Sequence, residues 1–158
     1  MKLNKKHPLY REDINNVLSL VNTKELQGKS FLITGATGMV GVMLIDVLMS
    51  IKDVKVYAVG RNKGKAKTRL GDYFDEPRFF FVEQDVCSPF DDTIKVDYII
   101  PMASNTHPLA YSQFPIETML INIQGAINAL NHAEKCGATV VYTSTNEEIT
   151  TEKVMNLL

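Results

Sequence analysis

The sequence predicts an α/β domain: a doubly wound parallel sheet of about five strands in the order 3-2-1-4-5, with an N-terminal helix and a truncated C-terminus. Three observations lead there. Short apolar segments alternate with helical segments of ten or more residues, which is the pattern of βαβ units. Crossovers between parallel strands are right-handed, and that makes the stated order the natural one. The first strand runs straight into a glycine-spaced turn and then an apolar helix, the arrangement that opens such folds.

Leu9 to Val21 reads as a short amphipathic helix with Ile14, Val17, Leu18 and Val21 on one face. Asn22 to Lys29 is a polar connection, and Ser30 to Thr34 is the first strand. Met39 to Ile51 is long enough to cross back over a sheet. Val54 to Val59 is the second strand, Asn62 to Phe74 a charged helix, and Arg78 to Val82 the third strand. Asp97 to Ile100 is the fourth. Pro115 to Cys136 is a long helix stopped by Gly137, and Thr139 to Thr143 is the fifth strand.

The composition narrows the class of function. The chain has 158 residues, 45% of them apolar and 22% charged, and a net charge of −1. That is a globular profile without the basic face that nucleic-acid binding needs. Cys87 and Cys136 have no CxxC spacing, so both read as ordinary thiols and no metal site is expected. The basic N-terminus is not followed by an apolar signal core, and no apolar run approaches the roughly 18 residues that span a bilayer. No membrane association is expected, and the cytoplasm is the expected location.

The turn Thr34-Gly35-Ala36-Thr37-Gly38-Met39-Val40-Gly41 carries the chemistry. In such a turn the first glycine permits the tight bend and the second lets backbone approach a pyrophosphate. The third lets the helix pack on the strand. The helix N-terminus then presents free N–H groups and positive dipole to the phosphates. Gly35, Thr37, Gly38, Met39, Val40 and Gly41 are therefore the candidate dinucleotide contacts.

The segment FLITGATGMVG resembles the cofactor motif of the extended short-chain dehydrogenase/reductases, in the nucleotide-sugar branch known as NAD-dependent epimerase/dehydratase. Four further segments follow in the family's order. Gln84-Asp85-Val86 resembles the pair that contacts adenine, and Met102-Ala103-Ser104 the small-residue loop near the nicotinamide. Asn122-Ile123-Gln124-Gly125 resembles the Asn-x-x-Gly of the helix before the fifth strand. Val141 to Glu147 resembles the strand end that carries a catalytic Ser or Thr, here Thr145. The resemblance implies a Rossmann-like NAD(P)-binding domain over residues 29–146, after a helical extension at 1–28 and before a short tail at 147–158.

Several residues keep two readings. Asp85 is either an adenine contact or a turn cap. Asn122 is a bridge or water ligand, or a solvated helix Asn. His107 faces substrate or is a surface His before proline. Where an NAD site usually places an acid at the end of the second strand, the chain has Gly60 followed by Arg61. Arg61 can clamp a 2′-phosphate, so the cofactor is NAD or NADP, leaning to NADP; otherwise Arg61 is a solvated charge that NAD would tolerate.

Members of this family use a Tyr-x-x-x-Lys pair after the fifth strand, and no Tyr follows Tyr142 here. Glu147 matches an acidic position of the dehydratases, although Asn146 stands where they often have Asp. The expectation is a dinucleotide-binding domain of a nucleotide-sugar epimerase/dehydratase-like protein that is not catalytically competent as this chain. The alternatives are a non-catalytic binding or interaction protein, or a remnant without function. A fifth strand left as a sheet edge invites pairing, so a homodimer or marginal stability is also expected.

Overall fold

Parallel strands are covered by helices on both faces, so their side chains are buried in both directions. Phe31, Leu32, Ile33 and Thr34 of the first strand are accordingly all buried. The computed structural model describes residues 5–105 and 108–143. In chain order its elements are α1 (Pro8–Leu20), α2 (Thr23–Leu26), β1 (Ser30–Thr34), α3 (Met39–Met49), β2 (Lys55–Gly60) and α4 (Lys63–Leu70). A 3-10 turn (Gly71–Tyr73) follows, then β3 (Phe79–Glu83), β4 (Tyr98–Ile100), α5 (Pro108–Gln113), α6 (Pro115–Cys136) and β5 (Thr139–Val140).

The five strands form one sheet in the order β3-β2-β1-β4-β5, and every pairing is parallel. This is the expected topology. Phe31 and Ile33 join one core with Ile45 and Leu48 of α3 and Val56 of β2. Leu32, one residue out of phase, joins the opposite core with Ile99 of β4 and Ile121 and Ala129 of α6. The period of two along β1 thus divides the molecule into three layers. Phe31 lies opposite Tyr98 in register, and the two rings stack at 5.0 Å.

The elements differ from the sequence reading mainly at their ends. The polar connection contains the one-turn helix α2, and α5 forms in a stretch that carries no strong apolar period. The fifth strand is short, although Val141 still donates its N–H to Ile99 at 2.9 Å. Gly137 stops α6 by taking φ +68°, the left-handed conformation glycine adopts without a steric penalty. Among the described residues no helix is long and apolar enough to cross a membrane.

A buried carboxylate fastens the N-terminal segment to this sheet. Asp46 stands in the apolar helix α3 and is 5% exposed. Lys5 Nζ donates to it at 2.6 Å, Tyr10 Oη at 2.5 Å and Tyr73 Oη at 2.8 Å. Burial and the neighbouring carboxylate push both phenols well above their ordinary range, so both remain donors. Three otherwise separate segments meet at this one group.

Asp46→Ala should lower the unfolding free energy by about 2–4 kcal/mol, because it removes a charged acceptor from three donors at once. Urea denaturation measures this. A loss below about 0.5 kcal/mol, the range of neutral surface substitutions, would contradict the stated role.

Candidate functional site

The site begins with two glycines, Gly35 and Gly41, that leave no room for a Cβ, and with Gly38 between them. Gly35 leaves β1 with φ +66°, and a Cβ on it would lie 2.7 Å from the Met102 carbonyl oxygen. A Cβ at Gly41 would lie 2.5 Å from the Gly35 oxygen and 3.0 Å from Ala36 Cα. Gly38 donates its N–H to Gly35 at 2.8 Å and starts α3 without a side-chain cap. The N–H groups of Met39, Val40 and Gly41 take no backbone partner among the described residues. They form the free, positive end of a helix, suited to an anion.

Three ties hold the surrounding loops. Thr34 Oγ1 accepts from Met102 N and Ala103 N, each at 3.0 Å, joining the ends of β1 and β4. Arg69 of α4 donates to the Thr37 carbonyl at 2.8 Å. Asn128, 5% exposed, donates to the Val86 carbonyl at 2.8 Å and so fixes the segment after β3 to α6. Gly125 makes room for this: a Cβ there would lie 3.2 Å from Val86 Cγ2.

A cleft of about 230 Å³ opens at the carboxyl ends of the strands, where open α/β sheets bind ligands. It is lined by the expected Gly35, Thr37, Gly38, Arg61, Asp85, Val86, Ala103 and Ser104. Met39 and Val40 do not line it. The two residues are 76% and 64% exposed beside it. Gly41 is buried beneath the turn rather than in the cleft. Asn122 lines an adjoining cavity of about 570 Å³, together with Thr34, Tyr111 and Thr143. Its amide donates to Thr118 O of its own helix at 2.9 Å, so the bridge between elements falls to Asn128. Thr145, like Asn146, Glu147 and His107, lies outside the described residues.

Lys65 and Ile121, which no sequence motif singled out, also line the cleft, as does Asn105 of the polar loop after β4. Asn105 Nδ2 donates to Thr118 Oγ1 at 2.9 Å and thereby ties the loop after β4 to α6. Nothing in the local sequence marks Lys65 or Ile121, because their place in the cleft depends on how α4 and α6 sit on the sheet.

Asp85 caps its own turn and also lines the cleft. One carboxylate oxygen accepts from Cys87 N at 2.9 Å, as in an Asx turn, while the other lies 3.7 Å from Arg61 Nη1 inside the cleft. Burial, with the nearby Asp85 carboxylate, raises the Cys87 thiol above its ordinary pKa, so it is held as the neutral thiol. Among the described residues no group of three or more His, Cys, Asp or Glu side chains could hold a metal ion.

Gly41→Ala should cost about 2 kcal/mol or more, because the turn backbone must shift to admit the methyl group. Gly71→Ala is the control: no atom lies within 4 Å of a Cβ there, and a change from about zero to a gain of 1 kcal/mol is expected. Equal effects of the two in thermal or urea unfolding would contradict the close approach.

The NAD dependent epimerase/dehydratase family model matches residues 31–154. Among curated relatives, UDP-glucuronic acid decarboxylase 6 of Arabidopsis thaliana is 32% identical over 129 residues, covering 81% of this chain and 37% of the relative. UDP-glucuronic acid decarboxylase 1 of Danio rerio is 33% identical over 127 residues, covering 78% of this chain and 29% of the relative. The chain thus spans only 37% and 29% of the length of these two proteins. Among solved structures, Pen from Bacillus thuringiensis superposes with a TM-score of 0.66 at 22% identity, over 75% of this chain and 38% of that one. The Bordetella bronchiseptica enzyme WbmF in complex with NAD+ and UDP gives 0.65 at 19% identity, over 82% and 39%. Both show the same fold. The chain belongs to the NAD dependent epimerase/dehydratase family, in the extended short-chain dehydrogenase/reductase group that its motifs resemble.

Proposed function

We propose that this chain is the dinucleotide-binding part of a nucleotide-sugar-modifying protein. The carrying observation is the uncapped N-terminus of α3, whose free N–H groups stand beside a cleft bounded by Gly35, Gly38, Arg61 and Asp85. In this reading the pyrophosphate lies on that N-terminus and the adenine between Asp85, Val86 and Arg61. The nicotinamide end extends past Ala103 and Ser104 into the larger cavity. The cofactor is NAD or NADP, with Arg61 favouring NADP.

A nucleotide sugar is the proposed substrate class of the whole protein. The relatives named as UDP-glucuronic acid decarboxylases and the neighbour bound to UDP support that class. When bound, the dinucleotide supplies a reversible hydride acceptor. Thr145 is the residue proposed to polarise the substrate oxygen. The sequence contains no Tyr-x-x-x-Lys pair to serve as base, so the isolated chain is proposed to bind without turnover.

Calorimetric titration with NAD+, NADH, NADP+ and NADPH should show saturable binding of at least one of them. UDP-glucuronic acid should remain unconverted in the presence of that cofactor. Absence of binding with all four, or measurable conversion, would contradict the proposal.

We also propose that two copies associate through α6. Ile116, Met119, Leu120, Ile123, Ile127 and Leu130 are 43–64% exposed along one helix. They are spaced almost symmetrically about Ile123. An antiparallel second copy would set Ile116 against Leu130, Met119 against Ile127, and Ile123 against itself, as an isologous two-fold contact requires. Sedimentation velocity should show a dimer that Ile123→Glu converts to a monomer. A wild-type monomer at high micromolar concentration would contradict the pairing.

A further inference from the structure

The second half of α6 packs on the segment that follows β3 through two polar side chains one helical turn apart. Asn128 donates to the Val86 carbonyl at 2.8 Å. His132, only 2% exposed, sets its ring at a steep angle to Phe90, with centroids 5.6 Å apart. Phe90 is itself buried and shares a core with Val86 and Ala129. The imidazole is therefore part of the packing that seats α6, and it can take up a proton.

The two ring nitrogens have different surroundings. Nε2 lies 3.6 Å from Cys136 Sγ, and the Ile94 carbonyl accepts from the ring. Nδ1 is buried and has no hydrogen-bond partner among the described residues. The neutral ring suits this arrangement: its single proton stands on Nε2, and Nδ1 keeps a bare lone pair. A second proton would stand on Nδ1, as part of a buried cation whose N–H meets no acceptor.

The charges around the ring do not offset that cost. Asp91 and Asp92 of the loop after β3 favour the imidazolium, while Lys95 of the same loop and Lys135 of α6 oppose it. Lys135 Nζ donates to the two Asp92 oxygens at 2.9 and 3.0 Å, and Asp91 accepts from Thr93, so both carboxylates are engaged. Glu134 lines the same cavity of about 240 Å³ as His132 and Asp92. Burial outweighs the attraction of these acids and holds the imidazole below its ordinary pKa.

We propose that His132 is a proton-sensitive latch on the side of the cleft assigned to adenine. Neutral, it seats α6 on the segment Val86–Ile94. Protonated, it must leave its pocket, and that segment loosens. The consequence for a ligand rests on the dinucleotide-binding reading above. Above about pH 6.5 the ring is neutral whether it is seated or released. Below that value a released ring gains a proton that the seated ring resists, so the latch is present above that range and is lost as pH falls.

The test begins with the histidine rings of the isotopically labelled 158-residue chain, followed by NMR from about pH 8 to about pH 5. One of the three imidazoles should titrate below the other two, and the amides of Val86, Phe90 and Ile94 should shift with its midpoint. Calorimetric binding of NAD+ and NADP+ is then compared over the same range with His132→Phe, whose ring keeps the packing and takes no proton. Below the midpoint the wild-type affinity relative to the variant should fall by up to about tenfold per pH unit, because only the seated form binds. Three rings that titrate together, segment amides that ignore the midpoint, or wild-type and variant affinities that run parallel would overturn the inference. The first two outcomes need no variant, so a His132→Phe chain that fails to fold leaves the inference exposed to them. Absence of binding at every pH would overturn the dinucleotide reading, and the ring titration would still decide the latch.

Discussion

A Cβ at Gly41 would lie 2.5 Å from the Gly35 carbonyl oxygen, and the rest of the site depends on that approach. It lets α3 begin directly over the end of β1. Because the helix starts there, its free N–H groups reach the carboxyl edge of the sheet instead of standing off by the width of a side chain. Gly35 adds a second demand, since its φ of +66° turns the chain toward the Met102 carbonyl. Thr34 then accepts from Met102 N and Ala103 N, which ties the turn after β1 to the loop after β4. The cleft is a product of backbone closeness, with side chains added at its rim.

Buried polar groups set the remaining geometry. On one side of the sheet Asp46 gathers Lys5, Tyr10 and Tyr73 against α3. On the other side Asn128 holds the Val86 carbonyl to α6. Apolar packing alone is non-directional and tolerates sliding of a helix on its sheet. A buried carboxylate or amide tolerates little, because a lost partner costs the full desolvation of the group left behind. The two groups fix, respectively, the helix proposed to meet the phosphates and the segment proposed to meet the adenine.

The strand order, the glycine turn and most of the cleft were legible in the sequence because they follow from short-range rules: a period of two, a period of 3.6, and glycine where backbone must come close. What escaped depends on how helices are rotated in three dimensions. Asn122 and Asn128 are six residues apart, roughly 240° further around the helix after six steps of 100°. Only Asn128 faces Val86, and nothing local to the sequence separates the two. The same rotation explains why α6 buries Thr118, Gly125, Asn128 and His132 while exposing Ile116, Leu120, Ile123 and Leu130. An apolar stripe alone would have been assigned to the core. Asp46 left a visible trace, a single acid within the apolar run Met39 to Met49, but its partners come from segments 27 to 41 residues away.

The most direct measurement is an amide chemical-shift map of the isotopically labelled chain on addition of the dinucleotide. The largest shifts should fall on the N–H groups of Gly38, Met39, Val40 and Gly41, with smaller ones at Asp85, Val86 and Ala103. Saturable shifts confined to other surfaces, with the amides of the glycine turn unmoved, would contradict it.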